Sequence, residues 1–126
     1  MACRNRRPFA VFQDGAILLK GGNGVVRTEK RYRDFVFELD YKCAQVNTNS
    51  GVFVRVPEVP VSDDYIYHSF EVQISDEGKD IHKTGAIYDA EAPSREASNP
   101  AGEWNHMKIT CRGKNIKVEI NGVPVI

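Results

Sequence analysis

A chain of 126 residues fits one domain, with enough length to bury a core without metal or disulfide staples. Its 17 basic and 17 acidic residues cancel, which argues against a protein that grips nucleic acid by charge. No apolar stretch approaches the ~20 residues of a bilayer-spanning helix, so no membrane span is expected.

The first eight residues carry Arg4, Arg6 and Arg7 and lack the apolar middle of a signal peptide. Residues 1–8 read as a poorly ordered terminus, and residues 9–126 as a single domain. Asp14-Gly15 separates two short apolar runs, 9–13 and 16–20, in the manner of a hairpin. Gly21-Gly22-Asn23-Gly24 then precedes a strand-like run at 25–28. A glycine-rich turn that opens a strand lacks the helix N-terminus that cradles phosphate.

From Phe35 the pattern is strict alternation. Phe35, Phe37, Leu39 and Tyr41 share one parity, with Val36, Glu38, Asp40 and Lys42 on the other. Met107, Ile109 and Cys111 repeat it, as do Ile116, Val118 and Ile120. Period two with turn residues between runs predicts half-buried antiparallel strands. Asn121-Gly122 closes the series with a strong hairpin signal. The expectation is an all-β sandwich or barrel. Two stretches, 57–67 and 89–102, break the rhythm with prolines and small residues and read as long loops.

Cys3, Cys43 and Cys111 form no CxxC spacing, so neither a zinc knuckle nor a disulfide framework is supported. Cys111 reads as a buried thiol, and a Cys43–Cys111 disulfide stays open on sequence. His68, His82 and His106 show no HxH or HExxH spacing. His68 shares the parity of Phe70 and Val72 and reads as core or edge packing, whereas His82 lies in a polar loop from which it can reach a site. Trp104, the only tryptophan, reads as a structural residue heading a core strand.

The chemistry concentrates in two runs, Asn49-Ser50-Gly51-Val52-Phe53-Val54-Arg55-Val56 and Ser69-Phe70-Glu71-Val72-Gln73-Ile74-Ser75-Asp76. In strands, Val52, Val54 and Val56 fall on one face, as do Phe70, Val72 and Ile74. Phe53 and Arg55 then share the opposite face with Glu71 and Gln73 if the strands pair. Arg55 offers a planar fork of donors and Glu71 a general base, whereas an ordinary cross-strand ion pair is the plain alternative. Gly51 allows a close approach of backbone or ligand. Asn49 and Ser50 open the first run, and Asp76 ends the second, where a turn role competes with a ligand role. Glu71 with Asp76 can hold a divalent cation, although two carboxylates make a weak metal signal. Tyr88 can stack on a sugar ring or pack in the sandwich.

These motifs, in their order, resemble the 3-keto-disaccharide hydrolase family. The matching elements are Tyr32-Arg33-Asp34-Phe35, Asn49 to Arg55, Phe70 to Ile74, Thr84-Gly85-Ala86-Ile87-Tyr88, Ala101-Gly102-Glu103-Trp104-Asn105, and Ile116 to Gly122. The resemblance implies a concanavalin-like jelly-roll β-sandwich that begins near Phe9. It also implies an oligosaccharide or 3-keto-glycoside as partner, and catalysis by Glu71 and Arg55. Asn49, Ser50, Phe53, Gln73, Asp76 and Tyr88 are then the substrate-binding residues. Members carry further sequence at both ends, so a missing closing strand is expected, and relatives are often exported. The reaction implied is proton abstraction beside a sugar ketone, β-elimination and hydration. The same jelly roll also serves non-catalytic carbohydrate-binding modules, which need an aromatic platform and no proton-transfer group. A direct two-carboxylate glycosidase is disfavoured, because Glu71 has no same-face partner carboxylate on its own strand.

Overall fold

The computed structural model describes residues 10–20, 24–57 and 68–126. The basic terminus and most of the 57–67 loop therefore lie outside the described residues, as do Gly21, Gly22 and Asn23. The chain divides into two compact units, Met1–Arg31 and Tyr32–Ile126.

In the first unit, β1 (Ala10–Gln13) pairs antiparallel with β2 (Ala16–Leu19). Asp14 and Gly15 both hold positive φ, 52° and 75°. Two successive left-handed residues give a turn whose twist matches the strands it joins. The strand expected at 25–28 does not form: those residues are irregular and exposed, and no strand among the described residues pairs with them.

The second unit is an antiparallel sandwich. One sheet has the order β3 (Phe35–Lys42), β6 (Trp104–Arg112), β7 (Asn115–Ile120), β8 (Val123–Pro124). Asn121 and Gly122, at φ 51° and 78°, turn β7 into β8. The other sheet pairs β4 (Ser50–Val54) with β5 (Phe70–Ile74). It is widened by residues 84–88, which bond to the free edge of β5 through the Val72–Ile87 bridge. The described residues hold one short 3-10 turn, Asp80–His82. The fold is all-β, with the jelly-roll architecture expected.

Alternation decides what each strand buries. Across the large sheet, Leu39, Met107 and Ile120 lie in one row, and Phe37, Ile109 and Val118 in the next. All of these but the largely exposed Phe37 pack with Val54, Val72, Ile74 and Ile87 of the small sheet in one apolar cluster, which also takes in Cys43, Cys111 and Val125. Cys43 and Cys111 are both buried free thiols, so the disulfide left open by the sequence is absent.

The opposite parity of the large sheet faces solvent. Trp104 belongs there: it is 53% exposed, with Lys42 Nζ 5.0 Å above its ring. Its expected structural role is thus corrected, because the register puts it opposite Lys42 on the outer face while its neighbour Asn105 points inward. His68 is likewise exposed rather than packed.

On the same outer face, His106 Nδ1 lies 2.7 Å from Asp40 Oδ1 and Nε2 3.4 Å from Glu38 Oε1. The Asp40 and Glu38 hydrogen bonds hold the imidazole above its usual range. The folded state therefore keeps a proton that the unfolded chain releases near its ordinary value of about 6.5. The stabilisation is complete below that value and fades as pH rises through the folded one. His106→Gln should lower the urea midpoint at about pH 6, with the loss shrinking as pH rises and a smaller effect in high salt.

Candidate active site

The β4–β5 pair forms in the register needed to gather the polar groups. Phe53 lies opposite Glu71 and Gly51 opposite Gln73, while Val54, Val72 and Ile74 turn to the core. On the other side of β5, the Tyr88 N–H donates to the Glu71 carbonyl at 2.9 Å, and the Gln73 N–H donates to Ala86 O at 2.9 Å. Because Ile87 is the residue bridged to Val72, alternation puts Tyr88 on the face of Glu71. Strands β4 and β5 and the turn residue Tyr88, bonded to the edge of β5, thus line up Phe53, Glu71 and Tyr88, a carboxyl between two aromatic residues.

Gly51 makes room for that carboxyl. A Cβ at this position would stand 2.6 Å from Glu71 Cγ and 2.8 Å from Cδ, with Oε1 closer still. The Glu71 side chain therefore lies back across the glycine, half-buried. Burial pushes its carboxyl up to about 7, since a charge among apolar groups is poorly solvated. Gln73, at 2% exposure, lies beneath it. Its amide nitrogen donates to Glu71 Oε1 at 3.2 Å and to the Ser50 carbonyl at 3.0 Å, and its oxygen faces the Asn49 amide at 3.2 Å. Ser50 takes part through this carbonyl, because its register opposite Ile74 gives its side chain the core-facing parity.

Arg55 leaves the row. Alternation holds only to Val54, because Arg55 takes φ 60° and ends the strand. Its guanidinium donates to Gly113 O at 2.9 Å and to Asp34 Oδ1 at 3.3 Å, and packs over Phe35. Asp34 also accepts from the Gly113 N–H at 2.9 Å. That bond, then Arg55, holds its carboxyl below the usual value. Arg55 thereby ties the end of β4 to the β6–β7 turn, and the cross-strand Arg55–Glu71 pairing is not made.

Asp76 is also drawn off. Its Oδ1 accepts from Thr84 Oγ1 at 2.9 Å and Ser98 Oγ at 3.2 Å, which fixes the end of β5 to the 89–102 loop. Asn105 does similar work at 4% exposure, where its Oδ1 accepts from Asn99 N and Asn121 Nδ2. Among the described residues no three His, Cys, Asp or Glu side chains gather as a cation site. With Asp76 Oδ1 engaged by two hydroxyls, these residues do not fit the divalent cation considered with Glu71.

The structure adds His82 and Asp89. His82 Nε2 lies 2.7 Å from Asp89 Oδ1, and its ring centroid is 4.9 Å from that of Tyr88. Spacing did not signal the pair, because the 3-10 turn at 80–82 and the positive φ of Asp89, 60°, bring them together.

The fold and this row define an all-β jelly-roll domain with one half-buried, aromatic-flanked carboxyl on its small sheet. The chain belongs to the 3-keto-alpha-glucoside-1,2-lyase-like domain family, whose profile matches residues 3–126. Two crystal structures of candidate glycosyl hydrolases from Parabacteroides distasonis ATCC 8503 are similar to it. One is 38% identical, with TM-score 0.70, covering 79% of this chain and 52% of that one. The other is 24% identical, with TM-score 0.81, covering 94% of this chain and 61% of that one, and bears on the fold alone. The chain thus spans between half and two thirds of the length of these relatives. No curated protein matches it.

Proposed function

We propose that this domain acts on glycosides whose C3 hydroxyl has been oxidised to a ketone, with Glu71 as the general base. The observation that carries this is a carboxyl held up to about 7 on a sheet face between Phe53 and Tyr88. A base whose pKa lies near the working pH is both ionised enough to act and basic enough to take a carbon-bound proton. Family membership and the glycosyl hydrolase names of the structural neighbours support a carbohydrate substrate.

The ketone acidifies the hydrogen on C2. Glu71 takes that proton, the C2–H electron pair becomes the C1=C2 double bond, and the C1–O bond breaks. The departing oxygen takes a proton and leaves as the free alcohol. Water then adds across C1=C2, with its oxygen on C1 and a proton on C2, for net hydrolysis. Phe53 and Tyr88 wall the ring. Arg55 is committed to Asp34 and Gly113, and His82, held by Asp89, flanks the Tyr88 side of the site. Asn49 and Gln73 serve the base rather than the sugar, and Asp76 shapes the loop.

The test is release of alcohol from a 3-keto-glucoside and not from the unoxidised glucoside. Binding of both sugars with turnover of neither would make this a carbohydrate-binding module and overturn the enzymatic reading. Gly51→Ala gives a geometric check. The added methyl must displace the Glu71 carboxyl, since it would stand 2.6 Å from Cγ. Turnover should fall about 10²-fold while far-UV circular dichroism stays that of the wild type.

A further inference from the structure

We infer that His82 is a positioning residue: Asp89 fixes its imidazole, and the imidazole fixes the ring of Tyr88 beside the Glu71 carboxyl. The consequence for the sugar rests on the site proposed above, whereas the contact itself is read from geometry.

Tyr88 needs such a support. Its N–H bonds to the Glu71 carbonyl, and beyond it the chain reverses at once, with the Ala90 and Glu91 N–H groups both donating to Ile87 O at 2.9 Å. The side chain is only half-buried, so pairing with β5 sets its direction and not its rotamer. What it packs against is His82, with ring centroids 4.9 Å apart and planes tilted by 52°, a geometry within the range of aromatic pairs.

The turn that carries His82 is held without help from the Tyr88 ring. The His82 N–H donates to Lys79 O at 2.9 Å and the Lys83 N–H to Asp80 O at 3.1 Å. The turn sits against Gly78, where a Cβ would run into the His82 carbonyl. Asp89 then joins this turn to the next one twice. Its N–H donates to Ile81 O at 3.3 Å, and its Oδ1 lies 2.7 Å from His82 Nε2. It does so from φ 60°, a conformation that is costly for most residues and less so for aspartate. The Asp89 and His82 side chains are 60% and 46% exposed, and so exposed a pair contributes little to stability. Left-handed backbone and a weak pair beside a half-buried carboxyl point to a clamp on the site rather than a strut of the fold.

Glu71 does not depend on this clamp, because Gly51 makes room for its carboxyl and Gln73 donates to it. Loss of His82 should therefore weaken sugar binding and spare the chemical step. Holding one side chain in its bound rotamer before the sugar arrives is worth about 3- to 10-fold in affinity.

The test reads binding and turnover separately. His82→Ala should raise KM for a 3-keto-glucoside by about 3- to 10-fold, with kcat within about twofold of the wild type. His82→Phe, which restores a ring against Tyr88 without the imidazole nitrogens, should recover most of the loss. Asp89→Gly, which suits φ 60° and removes the carboxylate, should give an intermediate KM. Without any substrate, the wild type should show a nuclear Overhauser contact between the His82 and Tyr88 rings, weakened in Asp89→Gly. Absence of that contact from the wild type overturns the inference, even if His82→Ala fails to fold. An unchanged KM in His82→Ala overturns it too. So does a kcat that falls by more than KM rises, or a His82→Phe as poor as His82→Ala, because the imidazole would then act on the sugar itself. A wild type that binds a 3-keto-glucoside without turnover sinks the functional reading alone, and the dissociation constant then replaces KM in the same comparison. A wild type that binds no such sugar overturns both.

Discussion

Glu71→Gln is expected to lower turnover of a 3-keto-glucoside by about 10²–10⁴-fold, the usual worth of a positioned general base. The amide is nearly isosteric, so the row of Phe53 and Tyr88 stays in place and sugar affinity changes little. The wild-type rate should climb with pH and level off above about 7, as the carboxyl that burial holds up becomes ionised. The same group works against the fold. Its folded pKa lies above its unfolded value, so between the two the native state binds more protons than the unfolded chain. Its favourable contribution is complete below the unfolded value and is lost as pH rises through about 7. Glu71→Gln should therefore melt above the wild type at about pH 8, with the gap narrowing towards about pH 5. Lost turnover together with gained stability is the mark of a group kept for chemistry. A variant that keeps its turnover would remove Glu71 from the role of base.

Met107→Ala carries the largest expected cost in stability. Met107 has no exposed surface and lies between Leu39 and Ile120 in the middle of the large sheet. Truncation removes its transfer free energy and leaves a cavity that the flanking strands cannot close, for a loss of about 2–5 kcal/mol. Against a total of about 5–15 kcal/mol for a domain, this should lower the melting temperature by about 10 °C. Lys108→Ala is the control one residue along. Its ammonium lies 3.5 Å from Glu119 Oε2 on the outer face, and its loss should change stability by less than about 0.5 kcal/mol. Equal effects at the two positions would contradict the sidedness of the strand.

The strands of the sandwich were largely legible in the sequence because their signal is local. Alternation from Phe35 to Lys42 and from Trp104 to Ile120 follows from which face is wet, and Asp14-Gly15 and Asn121-Gly122 carry their own turn geometry. The shared face of Phe53, Glu71 and Gln73 followed from the same parity, whereas the register that sets Phe53 opposite Glu71 and Gly51 opposite Gln73 did not. Arg55 shows where parity stops. One positive φ ended the strand and sent the guanidinium to Asp34 and Gly113, distant residues that no local pattern couples to it. Trp104 kept its parity, but which parity faces solvent depends on the partner strand, and Lys42 rather than the core lies beside it.

By itself, the sequence determined an all-β domain and the placing of Glu71 and Gln73 on one face of their strand, while the pairing of the two polar runs came from the structure. Periodicity of two is a property of the backbone and survives any tertiary arrangement. Only the tertiary structure decided that Tyr88 joins Glu71 from across β5, that His82 meets Asp89, and that Arg55 and Asp76 are spent on joining loops. It also decided the protonation of Glu71, because desolvation depends on everything packed around a group and not on its neighbours in the chain.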